Sequence, residues 1–397
     1  MQEKSKVCAV ICELNPLHSG HQALFAHAKA HFEGLVCVLS GNFVQRGEPA
    51  ILDKWARTRL ALASGADLVA ELPLPWACAG AERFAAGGVA VARGLGCVDS
   101  LLFGSEEKDI RPLWDLAKAL LSPEFSQALG RVDPTLPFAR RRQQAAALLA
   151  GEKTAALLEK PNCILGVEYL KALLVQGGGM EAQVFPRLGA GHDLPDREGA
   201  ILSASQARKL LAAGEDLSGR LPEFTLNAWR EQAERGACPA SLSRLERAVL
   251  CRLRSMTVED FSQLPDVSEG LEHRLRQAAR QAGSLEEFYA LVKSKRYSHA
   301  RVRRLCMSAF LGLTRDLPPL PLYLRVLGMT PAGQEILRQA RPSLPLALRA
   351  GDFSRLGGEA LSLFELEARS GDLYGLALPR PTPCGRDYTE RLVKVGF

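Results

Sequence analysis

No run of about eighteen apolar residues occurs in this chain, so no segment is expected to cross a bilayer as a helix. No export signal is expected either: Lys4 and Lys6 make a short basic start, but the apolar stretch 7–11 is brief and ends near Glu13. The ten cysteines include no C-x-x-C pair, which argues against zinc or disulfide chemistry. Cys8, Cys12, Cys37, Cys97 and Cys306 sit in or beside apolar runs and read as reduced, buried small hydrophobes, placing the protein in a reducing cytoplasm. No G-K-[ST] is present, and Gly94-Leu95-Gly96 and Gly189-Ala190-Gly191 lack the third glycine of a dinucleotide loop. Internal repeats and low-complexity tracts are also missing.

What is present is a globular composition, 47% hydrophobic and 24% charged, over 397 residues, enough for two or three domains. A net charge of +6 favours an anionic partner without requiring one. The first hundred residues alternate regularly. Largely apolar stretches at 6–12, 35–39, 67–72 and 98–103 read as buried strands, and 19–32, 53–63 and 81–93 as helices. That alternation predicts an α/β fold, a doubly wound, Rossmann-like parallel sheet covered on both faces. Residues 116–150 turn helical, interrupted at Pro134 and Pro137; a helix beginning at Pro161 and a strand over 182–185 follow. Beyond Gly219 the strand signal fades into amphipathic helices, so we expect a catalytic domain over 1–225 and a mainly helical C-terminal domain over 226–397.

The first strand ends in Glu13-Leu14-Asn15-Pro16, and a helix starts right after His18-Ser19-Gly20-His21. A helix N-terminus carries unpaired N–H groups and the positive end of the dipole, so it attracts phosphate. Histidines three apart share the side of that first turn, placed to donate to phosphates, and Gly20 lets a base or ribose near the backbone. The same pair also fits a plain helix cap. Open parallel sheets bind ligands beyond the carboxyl ends of their strands, which favours the phosphate role. A second phosphate-facing element fits Leu202 to Arg208: a serine caps a helix, Arg208 lies one turn inside it, and Ser203 and Ser205 supply hydroxyls.

The H-x-G-H resembles the signature of the nucleotidylyltransferase superfamily. Further blocks narrow the resemblance: the SGNFVQRGEPA loop at 40–50, Glu71-Leu72-Pro73, Phe103-Gly104-Ser105-Glu106, Lys160-Pro161-Asn162, Val167-Glu168-Tyr169, Arg187 and Gly191-His192-Asp193. In order, and resuming at 269–272 and 293–297, they are similar to the bacterial tRNA(Met) cytidine acetate ligase family. The resemblance implies two steps: acetate and ATP form acetyl-adenylate and pyrophosphate, and the acetyl group passes to N4 of the wobble cytidine of elongator tRNA(Met). It also implies ATP contacts from Val10, Ile11, Cys12, Glu13, Leu14, Asn15, Pro16, Leu17, His18, Ser19, Gly20, His21, Gln22 and Ala23, with Gly104, Asn162 and Arg187 beyond. His18 and His21 would offset charge on the phosphates, and Ser203, Ser205 and Arg208 would hold the leaving pyrophosphate. Arg46, in the polar loop, is our own candidate for acetate or tRNA. Leu14, Leu17 and Ser19 replace commoner family choices, an aromatic, a phenylalanine and an asparagine. No carboxylate cage for a metal is visible, so magnesium is expected to arrive with the nucleotide.

No acidic residue falls between Phe288 and Thr314, whereas Lys293, Lys295, Arg296, Arg301, Arg303 and Arg304 do, with Tyr297 and His299 interleaved as stacking candidates for RNA. Arg140-Arg141-Arg142 forms a second basic cluster. Two other readings stay open: a small-molecule adenylyltransferase, which the large basic extension argues against, and a non-catalytic RNA-binding factor, against which the complete H-x-G-H and Arg208 weigh.

Overall fold

The first strand, Val7–Cys12, is apolar at almost every position because both its faces are covered. Ala9 and Ile11 point into one core and Cys8, Val10 and Cys12 into another, the two-residue period of a strand sorting side chains onto opposite faces. The second strand, Gly34–Ser40, is buried throughout and divides the same way, Val36 and Val38 against Leu35, Cys37 and Leu39. The computed structural model describes residues 7–186, 202–268, 270–294 and 297–397.

Among the described residues these strands belong to an eight-stranded sheet. Across it lie Val393–Lys394, Leu324–Met329, Leu68–Leu72, Gly34–Ser40, Val7–Cys12, Ser100–Ser105 and Glu181–Pro186, with Leu346–Ala347 pairing beside Leu324–Met329. All pairings are parallel except that of Leu68–Leu72 with Leu324–Met329. The expected α/β fold is therefore present, doubly wound, with a mainly helical C-terminal region. The chain runs outward from Val7–Cys12 to Leu68–Leu72, then returns to place Ser100–Ser105 on the other side of the first strand. That reversal opens a crevice at the carboxyl ends of the first and fourth strands.

The C-terminal region is not wholly helical, contrary to the fading strand signal. Leu324–Met329 is fully buried and extends the sheet, so one sheet draws on both sides of residue 225. Its six residues follow a proline-rich stretch, and nothing in their local pattern says which edge they join. A further small departure is the polar loop, where Phe43–Val44 and Glu48–Pro49 pair as an antiparallel hairpin. Among the described residues, no helix is long and apolar enough to cross a membrane. Cys8, Cys12, Cys37 and Cys306 are free, buried thiols, while Cys97 is half-buried.

A buried ionic cluster joins the C-terminal region to the rest. Lys54 Nζ lies 2.6 Å from Glu71, 2.5 Å from Asp387 and 3.6 Å from Glu367, and Arg325 pairs with Glu71 and Asp387. All five side chains are buried. Three carboxylates against two cations leave one charge in excess. Burial, reinforced by Glu71, pushes the Glu367 carboxyl up to about 8, although Lys54 opposes the shift. A carboxyl raised above its unfolded value adds stability that is complete below about pH 4.5 and lost as pH rises through about 8. The Glu367→Gln variant is thus expected to show a flatter decline of Tm between pH 6 and 9 than the wild type. Parallel Tm–pH curves would refute this role for Glu367.

Candidate active site

His18 is the N-cap of the Ser19–His31 helix, and its Nδ1 accepts the Gly20 N–H at 3.1 Å. His21, at the third helical position, reaches back so that its Nδ1 accepts the His18 N–H at 3.3 Å. The two histidines therefore form a reciprocal capping box, a role usually taken by Ser and Glu. A neutral ring accepting at Nδ1 carries its proton on Nε2, the nitrogen that the cap does not use. The cap thus uses the Nδ1 of each ring, and the two rings pack with centroids 3.9 Å apart.

Gly20, which lines the cavity described below, also has a reason within the chain itself. A Cβ there would stand 2.9 Å from His18 Cε1, so the missing side chain makes room for the chain's own imidazole. Gly20→Ala is expected to cut activity about tenfold by displacing that ring, with little loss of Tm because alanine suits a helix better by up to about 1 kcal/mol. Wild-type turnover in this variant would show that the ring position is not needed.

The turn before the helix is held from several sides. Leu14 adopts φ +48, a conformation costly for a branched side chain, and is wholly buried, as is Leu17. These two residues pack into the core below the turn. Asn15 Oδ1 accepts the Ile51 N–H at 2.9 Å, and Arg208 donates to the Asn15 carbonyl at 2.8 Å. Arg57, fully buried, donates to the Leu52 carbonyl at 2.9 Å, to Glu13 at 2.7 Å, to Ser40 at 3.0 Å, and to Gly41. One guanidinium thus ties the ends of the first two strands together. The sequence reading missed Arg57, because nothing in KWARTRLALA sets it apart from a solvated helix arginine.

These elements enclose a cavity of about 330 Å³ at the crevice. On one face of the sheet its wall includes His18, His21, Ser203, Ser205, Arg208 and Arg46; Val10 to Asn15 form the floor, with Gly20 and Ala23 beside them. Pro16, Leu17, Ser19 and Gln22 lie off this wall. Ser203 caps the Ala204–Ala212 helix, its Oγ accepting from Gln206 at 3.2 Å, as expected. Burial draws the Arg208 pKa down against the pull of Glu48, 3.2 Å away. Arg46 approaches Ser205 Oγ at 3.5 Å. The Glu13 carboxyl accepts the Gln45 N–H at 2.8 Å, and burial raises its pKa.

On the other face stand Phe103, Asn162 and Tyr169, while Gly104, paired with Phe185, lies on the histidine face. Gly104 lies within the strand Ser100–Ser105 rather than after it. Asn162 donates to Glu106 at 2.6 Å, and Glu106 also accepts the backbone N–H groups of Asn162 and Cys163 at 3.2 and 2.9 Å. Burial works against the Glu106 charge, yet these bonds hold its pKa below the usual range. Glu106 therefore caps the Pro161–Val175 helix and orients Asn162. Arg187, Gly191, His192 and Asp193 lie outside the described residues.

The basic helix His299–Leu311 reaches this site through the polar loop. Gly47, at φ +69, sits where a Cβ would fall 2.8 Å from the Arg303 and Arg304 backbone, so only glycine permits the approach. Arg303 pairs with Glu48 at 2.5 Å, and Arg301 donates to the Asp266 carbonyl. Tyr297 corrects an expectation: it is 8% exposed, belongs to the core and lies beneath the Arg301 guanidinium, so it offers no face to a base. His299 is partly exposed, edge-on to Tyr289. In the second basic cluster, Arg140 pairs with Glu159 and Arg142 with the buried Glu168. Lys293 is exposed, and Lys295 and Arg296 lie outside the described residues.

A doubly wound sheet with H-x-G-H at its switch point defines a nucleotidyltransferase, and residues 5–388 match the family model described as HIGH nucleotidyl transferase. The tRNA(Met) cytidine acetate ligase of Acetivibrio thermocellus is 34% identical, covering 98% of this chain and 99% of its own; that of a Thermoanaerobacter species is 33% identical over 98% and 100%. The chain belongs to the tRNA(Met) cytidine acetate ligase family. Among solved structures it resembles Thermotoga maritima TmcAL, apo, with a TM-score of 0.92 at 30% identity, covering 98% of this chain and all of that one. The same protein bound with alpha-thio ATP gives a TM-score of 0.89.

Proposed function

We propose that this protein is an ATP-dependent ligase that acetylates N4 of the wobble cytidine of elongator tRNA(Met). An acetate oxygen attacks the α-phosphorus of ATP, the α–β bond breaks, and pyrophosphate leaves. The cytidine amine then attacks the acetyl carbon, AMP leaves, and the amine gives up a proton. The observation that carries this reading is the convergence of the His18 and His21 donors, the helix N-terminus, Ser203, Ser205 and Arg208 on one cavity at the switch point. Fixed donors at that place stabilise charge as it builds on phosphate oxygens. Asn162, braced by Glu106, would touch ribose, phosphate or base. Among the described residues no three His, Cys, Asp or Glu side chains group as a metal cage, and the proposal carries magnesium on the nucleotide phosphates.

The C-terminal helical region is proposed to bind the tRNA. A second cavity, of about 570 Å³, adjoins the first at Ala81, and Arg304 stands in its wall with its Nε buried and unpaired. Arg304→Ala is expected to raise the KM for tRNA about tenfold and to reduce the salt dependence of binding by about one counterion. A KM within twofold of wild type would remove Arg304 from the RNA path. The activity itself is tested by incubating the protein with ATP, labelled acetate and unmodified elongator tRNA(Met), then digesting the RNA. Label in N4-acetylcytidine is expected; ATP binding with neither adenylate nor modified RNA would overturn the proposal.

A further inference from the structure

The face of the cavity opposite the histidines has a feature that phosphate binding does not use. The Tyr169 side chain lines it, is 2% exposed, and its hydroxyl has no hydrogen-bond partner. An unmet buried hydroxyl costs about 1–3 kcal/mol, so its retention at a cavity wall suggests a ligand that meets it. Around it the wall is apolar: Ile11, Phe84, Phe103 and Leu165. Two of these side chains are set against glycines. A Cβ on Gly88 would stand 2.7 Å from Ile11 Cδ1, and one on Gly166 would stand 2.6 Å from Phe103 Cε2. Ile11 and Phe103 therefore lie directly on helix backbone and have little room to recede.

We propose that this lobe is the acyl subsite, in which a short aliphatic carboxylate seats its alkyl end against Ile11, Phe84 and Phe103 and one oxygen on the Tyr169 hydroxyl. The inference rests on the acid-activating reading above and adds to it the residues that select the acid. The nonattacking carboxylate oxygen becomes the carbonyl oxygen of the adenylate, so one donor serves both steps. When the cytidine amine attacks the acyl carbon, negative charge gathers on that oxygen, and a fixed hydroxyl stabilises it. Burial raises the tyrosine pKa well above its ordinary value, so the hydroxyl keeps its proton and remains a donor. The wall sets the length of the acid: a methyl group fits, and each added methylene must displace a packed side chain.

The test is pyrophosphate exchange into ATP, measured with acetate, propionate and butyrate for the wild type, Tyr169→Phe and Phe84→Ala. Exchange by the wild type with acetate establishes the acid-activating reading independently of the subsite. Tyr169→Phe is then expected to raise the acetate KM at least tenfold while the ATP KM stays within twofold. Phe84→Ala is expected to raise kcat/KM for butyrate relative to acetate at least tenfold. An unchanged acetate KM in Tyr169→Phe, or a rise confined to the ATP KM, would overturn the subsite and give the lobe to the nucleotide. Wild-type protein that exchanges with none of the three acids would overturn the acid-activating reading, and the subsite with it.

Discussion

Replacing His21 with alanine is expected to slow acetate-dependent pyrophosphate exchange by about 10²–10³-fold while lowering stability by only about 1 kcal/mol. The two effects separate because the ring has two jobs on two nitrogens. Nδ1 closes the capping box onto the His18 N–H. In the proposed reaction Nε2–H would donate to a phosphate whose charge grows as the α–β bond breaks. The His21→Gln variant sharpens the test, since glutamine at that helical position is an ordinary capping-box partner. It should restore Tm to nearly the wild-type value and leave exchange largely unrecovered. Exchange within about threefold of wild type in His21→Ala would mean the histidine pair only caps the helix.

A second large effect is expected far from the phosphates. Arg325→Met should destabilise the protein by about 3–5 kcal/mol, because it leaves Glu71, Asp387 and Glu367 buried around Lys54 alone. Removing one member of a buried ionic cluster strands its partners without water. Combining Arg325→Met with Asp387→Leu removes one cation and one carboxylate together, and the double variant should lose much less than the sum of the single losses. Denaturant unfolding of the four proteins measures the coupling. A loss below about 1 kcal/mol for Arg325→Met would show that the cluster does not hold the C-terminal region to the sheet.

That cluster also gives one family block its physical sense. Glu71-Leu72-Pro73 carries part of the family resemblance, and in the fold Glu71 lies in the interior, bound to Lys54 and Arg325. Gly47 is similar: its place in a polar loop is legible, but its need for glycine appears only where the Arg303–Arg304 backbone presses against it. In Val167-Glu168-Tyr169, Glu168 holds Arg142 and Lys171 while Tyr169 turns into the cavity.

The sequence by itself determined the alternating strands and helices of the first hundred residues, the H-x-G-H at the first turn, and the serine-capped helix carrying Arg208. Each is a local signal: a period of two or 3.6 residues, a cap, or a motif within one turn. Only the tertiary structure decided that Leu324–Met329 returns to the sheet, that Arg57 ties two strand ends, that Glu106 orients Asn162, and that Tyr297 is buried rather than offered to RNA. Each of those depends on partners brought from far along the chain. An arginine that donates to four carbonyls and one that meets only water look alike in sequence, because the difference lies wholly in what surrounds the guanidinium after folding.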